Sequence, residues 1–120
     1  MTPFQEKLKK RMHEYVRFVY RVTKHFPKEE VYGVTSQIRR ATVSIILNFI
    51  EGYARRKLLV QLNFFEIAYG SLQESKYLLM LSSEENYLSE GEYKLGSAIA
   101  EEIGAMLWSE LVAIGKDVTK

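Results

Sequence analysis

The chain has 120 residues, 47% hydrophobic and 27% charged, with no cysteine. That length suits a single domain with a real core, and the missing cysteines exclude a disulfide framework, a thiolate metal site and a thiol nucleophile. Net charge is only +2, yet residues 1–57 hold 13 Lys and Arg against 5 Asp and Glu, a net +8, while residues 58–120 hold 4 against 10, a net −6. Such polarity suits phosphates at the basic half or a basic face at the acidic half. The start, MTPFQEKLKKRM, is charged where a signal peptide needs an apolar core, and no run reaches the roughly 18 apolar residues of a membrane span. A soluble, cytoplasmic protein with no membrane partner is expected.

From the N-terminus, apolar residues fall at Phe4, Leu8, Met12, Tyr15, Val19, Val22 and Phe26, in steps of three and four that trace one side of a helix. The opposite side carries Lys10, Arg17, Arg21, Lys24 and Lys28. Pro27 cannot donate the helical hydrogen bond and ends this element. A second helix is predicted from about Lys28 or Thr35 to Gly52, its start blurred by Gly33, with Tyr53–Arg56 as the junction to a third helix from about Lys57 to Ser82. Next come a turn and a fresh helix start, where Ser89 and Glu92 stand in the S-x-x-E relation of a capping box. The fourth helix runs to about Lys116, burying Leu95, Ile99, Ile103, Met106, Leu107, Leu111 and Ile114. Four long helices joined by short turns predict an all-α, antiparallel up-down-up-down four-helix bundle forming one domain over residues 1–120.

The runs FPKEEVYGVTSQIRRATVSI, N-x-x-E-G at Asn48 to Gly52, ARR, YGSLQES and YLSEGEY, in that order, resemble the four-helix-bundle proteins of the 23S ribosomal RNA intervening-sequence family over about residues 4–115. The resemblance implies a homo-oligomer, most often a pentameric ring. It also implies similarity in fold to the accessory variability determinant proteins of diversity-generating retroelements, whose partners are nucleic acid and a reverse transcriptase. Where the family usually carries S-I-P-S-N, this chain has Ser44-Ile45-Ile46-Leu47-Asn48, which predicts a second helix without a proline kink. Lys57-Leu58-Leu59-Val60 makes the entry to the third helix more apolar than is usual in the family.

Along the second helix, Gln37, Arg40, Ser44, Asn48, Glu51 and Arg55 recur at intervals of three and four, on an element whose apolar residues cover more than one core-facing arc. Two readings compete. The stripe is a solvated face, or it is a hydrogen-bonded seam at a subunit boundary, with Glu51 held by Arg55 or Arg40. The similarity at Asn48, Glu51 and Gly52 favours the seam. Phe18 and Tyr20 flank the buried side of the first helix and Trp108 points away from that of the fourth; these aromatics are the expected oligomer contacts.

Catalytic and metal constellations are poor. His13 and His25 lie on different faces of one helix, and Glu51, Glu66 and Glu74 lack the histidine partners of a di-iron carboxylate site. No G-x-S-x-G elbow is present. The glycines are too dispersed for a phosphate cradle; Gly70, Gly96 and Gly104 instead suit close helix approach. No cofactor is expected. The leading expectation is a non-catalytic, homo-oligomeric module binding RNA or DNA through Lys10, Arg17, Arg21, Lys24, Lys28, Arg39, Arg55, Arg56 and Lys57. A protein-interaction scaffold with no nucleic-acid role is the alternative, and a carboxylate-bridged metal enzyme a distant third.

Overall fold

Thr2 sets the start of the first helix: its hydroxyl accepts the Gln5 backbone N–H, and the Gln5 side chain accepts the Thr2 N–H in return. Pro3 takes the first helical position, where no backbone donor is missed. The computed structural model describes residues 1–119 as α1 (Pro3–Thr23), a single 3-10 turn (Lys28–Glu30), α2 (Val34–Tyr53), α3 (Leu58–Glu84) and α4 (Glu90–Val118). The predicted capping box at Ser89 and Glu92 is present at the start of α4. The first helix ends ahead of Pro27, and α2 begins near the later of its two predicted starts and runs unbroken through Ser44–Asn48.

Short connections force each helix back along its predecessor, and the side-chain pairs show it. Between α2 and α3, Ser44 meets Ser71 while Phe49, further along, stacks on Phe65, nearer the start of α3. Between α3 and α4, Tyr69 meets Trp108 and Lys76 meets Glu101. Gln5 reaches Glu110 and Arg11 reaches Glu102, so α4 returns antiparallel to α1 and closes the bundle, which measures 49 × 25 × 19 Å. The structure is an antiparallel four-helix bundle, with no strand among the described residues.

Its core is a column of Leu8, Met12, Tyr15, Ile38, Ile45, Phe49, Phe65, Leu72, Leu79, Ile103 and Leu107, all buried. Each such side chain contributes about 1.5 to 3 kcal/mol on leaving water. Tyr15 and Ser75 are hydrogen-bonded across the core at 2.9 Å. Because Ser75 already donates to the Leu72 carbonyl, Tyr15 is the donor of that pair. Burial pushes the Tyr15 phenol up to about 12.

Two glycines let helices close. A Cβ on Gly96 would stand 2.5 Å from a Phe18 ring carbon, and one on Gly52 2.8 Å from the Phe65 ring. Phe18 is therefore not an oligomer contact: it is 1% exposed, because Gly96 opens a slot for it against α4. The same slot explains Leu95, which is half exposed, since Gly96 and Ala100 take the inward positions at the start of α4. Phe4 is also exposed, at the end of the bundle, and burial in α1 begins at Leu8. Of the other expected close approaches, a Cβ added to Gly104 would stand 3.4 Å from Leu72, an ordinary contact, and one on Gly70 would meet nothing within 4 Å.

The α1–α2 and α3–α4 connections lie at the same end, and Glu30 joins them. One of its carboxylate oxygens accepts the Val34 N–H at 3.3 Å, and the other accepts the Tyr87 hydroxyl at 2.8 Å. That bond to a carboxylate is the main cause raising the Tyr87 phenol to about 12. Asn86 adopts a left-handed φ of 63° after α3, letting the Tyr87 N–H bond back to the Ser82 carbonyl as a Schellman stop.

Candidate nucleic-acid interface

Lys10, Arg17, Arg21 and Lys24 all lie exposed on the outer side of α1, and Lys28 extends the row past its end. None of the five forms an ion pair among the described residues. Arg21 rests its guanidinium 5.6 Å from the centroid of the Phe18 ring, which steadies a long side chain at the surface. Arg11, by contrast, is held between Glu14 at 2.8 Å and Glu102 at 3.0 Å, and those bonds raise its already high pKa. It is neutralised within the chain.

Arg55, Arg56 and Lys57 are exposed in the α2–α3 connection, at the end of the bundle where α1 begins. Arg55 covers the Phe64 ring at 5.2 Å and pairs with Glu51, so Arg56 and Lys57 are the freer cations there. Arg39 sits apart, half-buried in a groove between α1 and α2. Its Nε donates to Thr23 Oγ1 at 2.8 Å, and its guanidinium carbon lies 4.6 Å from the centroid of Tyr20.

The polar stripe of α2 divides. Asn48 donates to the Ser44 carbonyl at 2.8 Å and hydroxyl at 3.0 Å, and Ser44 meets Ser71 of α3 at 2.8 Å, so this stretch is a seam, formed inside one chain. Gln37, Arg40 and Glu51 are exposed instead: Gln37 and Arg40 line the α2 side of an open groove whose other side is Ser71, Glu74 and Leu78 of α3. Glu51 pairs with Arg55, the i+4 partner proposed from the sequence, but on the surface.

Sequence reasoning missed the α1–α2 groove. Its rows Arg39-Val43-Leu47 and Arg40-Ser44-Asn48 run side by side along α2 with Tyr20 as the facing wall of an open groove of about 330 Å³. The i+4 spacing of both rows was a signal for it, read there as stripe and excess apolar surface. A second groove, about 490 Å³ between α3 and α4, is lined by Leu62, Tyr69, Gly70, Trp108 and Val112, with Glu66 at its edge. Tyr20 and Trp108 are exposed as expected. No set of three or more His, Asp or Glu able to hold a metal forms among the described residues, and none of their helices is long and apolar enough to cross a membrane.

An all-α four-helix bundle with one basic flank is the class these features define. Residues 5–109 match the family described as 23S rRNA-intervening sequence protein, and the chain belongs to that family. A protein of unknown function from the S23 ribosomal protein family of Bacteroides thetaiotaomicron VPI-5482, with a crystal structure at 1.70 Å, shares the fold. Its TM-score is 0.79 and its identity 23%, over 87% of this chain and 97% of that one. No curated protein matches the chain.

Proposed function

We propose that this protein is a non-catalytic, homo-oligomeric module that associates with nucleic acid through the outer face of α1 and the Arg55–Lys57 connection. The observation that carries the reading is the row Lys10, Arg17, Arg21 and Lys24, exposed on one face and free of ion pairs among the described residues. Unpaired cations spaced along a helix neutralise successive phosphates and release their counterions. The family description, which refers to 23S rRNA, agrees in kind.

Self-association is supported by apolar surface on two sides. Ile50 and Tyr53 on α2, and Ile67, Trp108 and Val112 on α3 and α4, are exposed in the single chain, more than a small monomer usually leaves to water. A closed ring, a pentamer by the resemblance, covers both. Light scattering at micromolar concentration reads this directly: a mass well above 14 kDa is expected, and a mass of one chain removes the oligomer from the proposal.

A salt series on RNA binding tests the rest. Replacing Arg17, Arg21 and Lys24 together by Gln keeps good helix formers on an exposed face, so helical circular dichroism stays at the parent level. Affinity falls, and the slope of log K against log salt flattens by about 2, at about 0.7 per phosphate on a single strand. Equal binding by the triple variant refutes the α1 footprint. The competing scaffold reading rests on the aromatic α3–α4 groove, and a parent with no nucleic-acid affinity at low salt decides for it.

A further inference from the structure

Arg39 is half-buried, yet no carboxylate neutralises it among the described residues. Its one hydrogen bond among the described residues, Nε to Thr23 Oγ1, fixes the plane of the fork and leaves the remaining guanidinium donors for something else. Thr23 can accept that bond because its own hydroxyl is spent on the Val19 carbonyl at 2.7 Å. Tyr20 backs the guanidinium at 4.6 Å, so one face of the cation is covered by the protein. A guanidinium held in this way offers its other face as a stacking platform and its edge as an anion fork.

The surroundings extend that chemistry. Arg40, also without an ion pair among the described residues, and the apolar Val43 and Leu47 line the same groove. Asn48 commits its amide N–H donors to Ser44, so its carbonyl oxygen remains as an acceptor at the groove wall. The volume, about 330 Å³, is at the lower end of the range of about 300 to 1,000 Å³ typical of small-ligand sites. Two cations, a flat platform, an apolar wall and one amide acceptor suit an anion joined to a planar, partly apolar body that carries an N–H donor.

We infer that the groove between α1 and α2 is a site for one unpaired nucleotide of a single strand, its phosphate on Arg39 and Arg40 and its base between the guanidinium platform and Leu47. The inference rests on the nucleic-acid reading and goes further, since it makes the protein prefer single strands. A paired base presents only its edge and cannot enter such a groove, whereas an unstacked base can. Continuity favours a strand over an acidic peptide: Tyr20 is followed on α1 by Arg21 and Lys24, exposed cations for the adjoining phosphates.

The test uses the full chain, a labelled mixed-sequence RNA of about 15 nucleotides, and the same sequence as a duplex; a strand of that length fills one site of the size single-strand binders cover. The parent is expected to hold the single strand about tenfold more tightly than the duplex. Arg39→Lys keeps the charge and loses the planar fork, and Leu47→Ser removes the exposed apolar wall. Each lowers single-strand affinity about tenfold, as loss of one stacked base does, with duplex affinity within about twofold of the parent. Melting by circular dichroism checks that both variants fold.

An unchanged single-strand preference in both variants, while Arg17, Arg21 and Lys24→Gln weakens strand and duplex alike, overturns the groove and leaves the basic face standing. A parent that binds neither nucleic acid overturns both. Polyglutamate displacing the strand as well as unlabelled RNA does assigns the groove to protein carboxylates. Dissociation of the oligomer by Arg39→Lys or Leu47→Ser assigns it to a second copy of the chain. Either result overturns the nucleotide site.

Discussion

The two sides of α3 make opposite kinds of contact with their neighbours. Toward α2 the seam is closed around Gly52, which admits the Phe65 ring while Phe49 stacks on it at 5.0 Å between centroids; only beyond the Ser44–Ser71 bond does it open into a groove, beside Arg40 and Glu74. Toward the end of α4 the contact opens into a groove, although Gly70 and Gly115 are as small as Gly52. Small residues alone therefore do not draw helices together. Gly52 is filled by a rigid ring from across the seam, whereas Tyr69 and Trp108 meet each other at 5.5 Å along the rim and leave the floor empty.

The sharpest way to break this contrast is to add bulk on the closed side. Gly52→Val places its Cβ inside contact distance of the buried Phe65 ring, and overpacking of this kind should lower stability by about 3 kcal/mol in denaturant titration. A midpoint equal to the parent's means that the seam yields and is not closed. The interior also predicts a pH limb. Tyr15 is raised in the folded state to about 12 from an unfolded value near 10, so the folded chain holds that proton longer. The stability involved is fully present below about pH 10 and lost as pH rises toward 12, by about 2 to 3 kcal/mol. Tyr87 titrates in the same direction. Tyr15→Phe should flatten the limb, and an identical alkaline profile for that variant assigns the limb to other groups.

The stripe of α2 gives a smaller, paired effect. Asn48→Leu removes the amide bonded to Ser44 in the seam and should cost about 1 kcal/mol. Glu51→Ala breaks only an exposed ion pair and should shift the midpoint by less than about 0.5 kcal/mol. Equal losses for the two remove the distinction between seam and surface. Also small but opposite in sign, Gly70→Ala on the open side meets nothing within 4 Å and should stabilise α3 by about 0.5 kcal/mol. A loss there means that the groove is occupied.

Most of the fold was legible because long helices announce themselves by period. Leu8, Met12, Tyr15, Val19 and Val22 recur every three or four residues and are all buried. What escaped depended on a partner from another helix. Phe18 reads as flanking until Gly96, far along the chain, vacates a slot for it. Leu95 reads as core for the same reason in reverse. The division of the α2 stripe turns on Ser71, which lies in the run YGSLQES but whose partner on α2 no spacing along the chain reveals. For the candidate site, the exposed cations of α1 were visible as a face. Arg39 was counted among them, but its fixing by Tyr20 and Thr23 requires two helices to be side by side.

Glu30 makes the two ends of the bundle mechanically unequal. At its end, one carboxylate latches both crossovers together; at the other end the chain passes through the exposed run Arg55-Arg56-Lys57, where trypsin finds three consecutive cutting sites. A nick there would part the molecule into two helical hairpins without cutting either helix pair. Because the charge of the chain changes sign at the same place, the halves would carry opposite charge, about the division between +8 and −6 read from the sequence. The latch, the shared core and mutual attraction would hold the two hairpins together, with the dividing line drawn between α2 and α3.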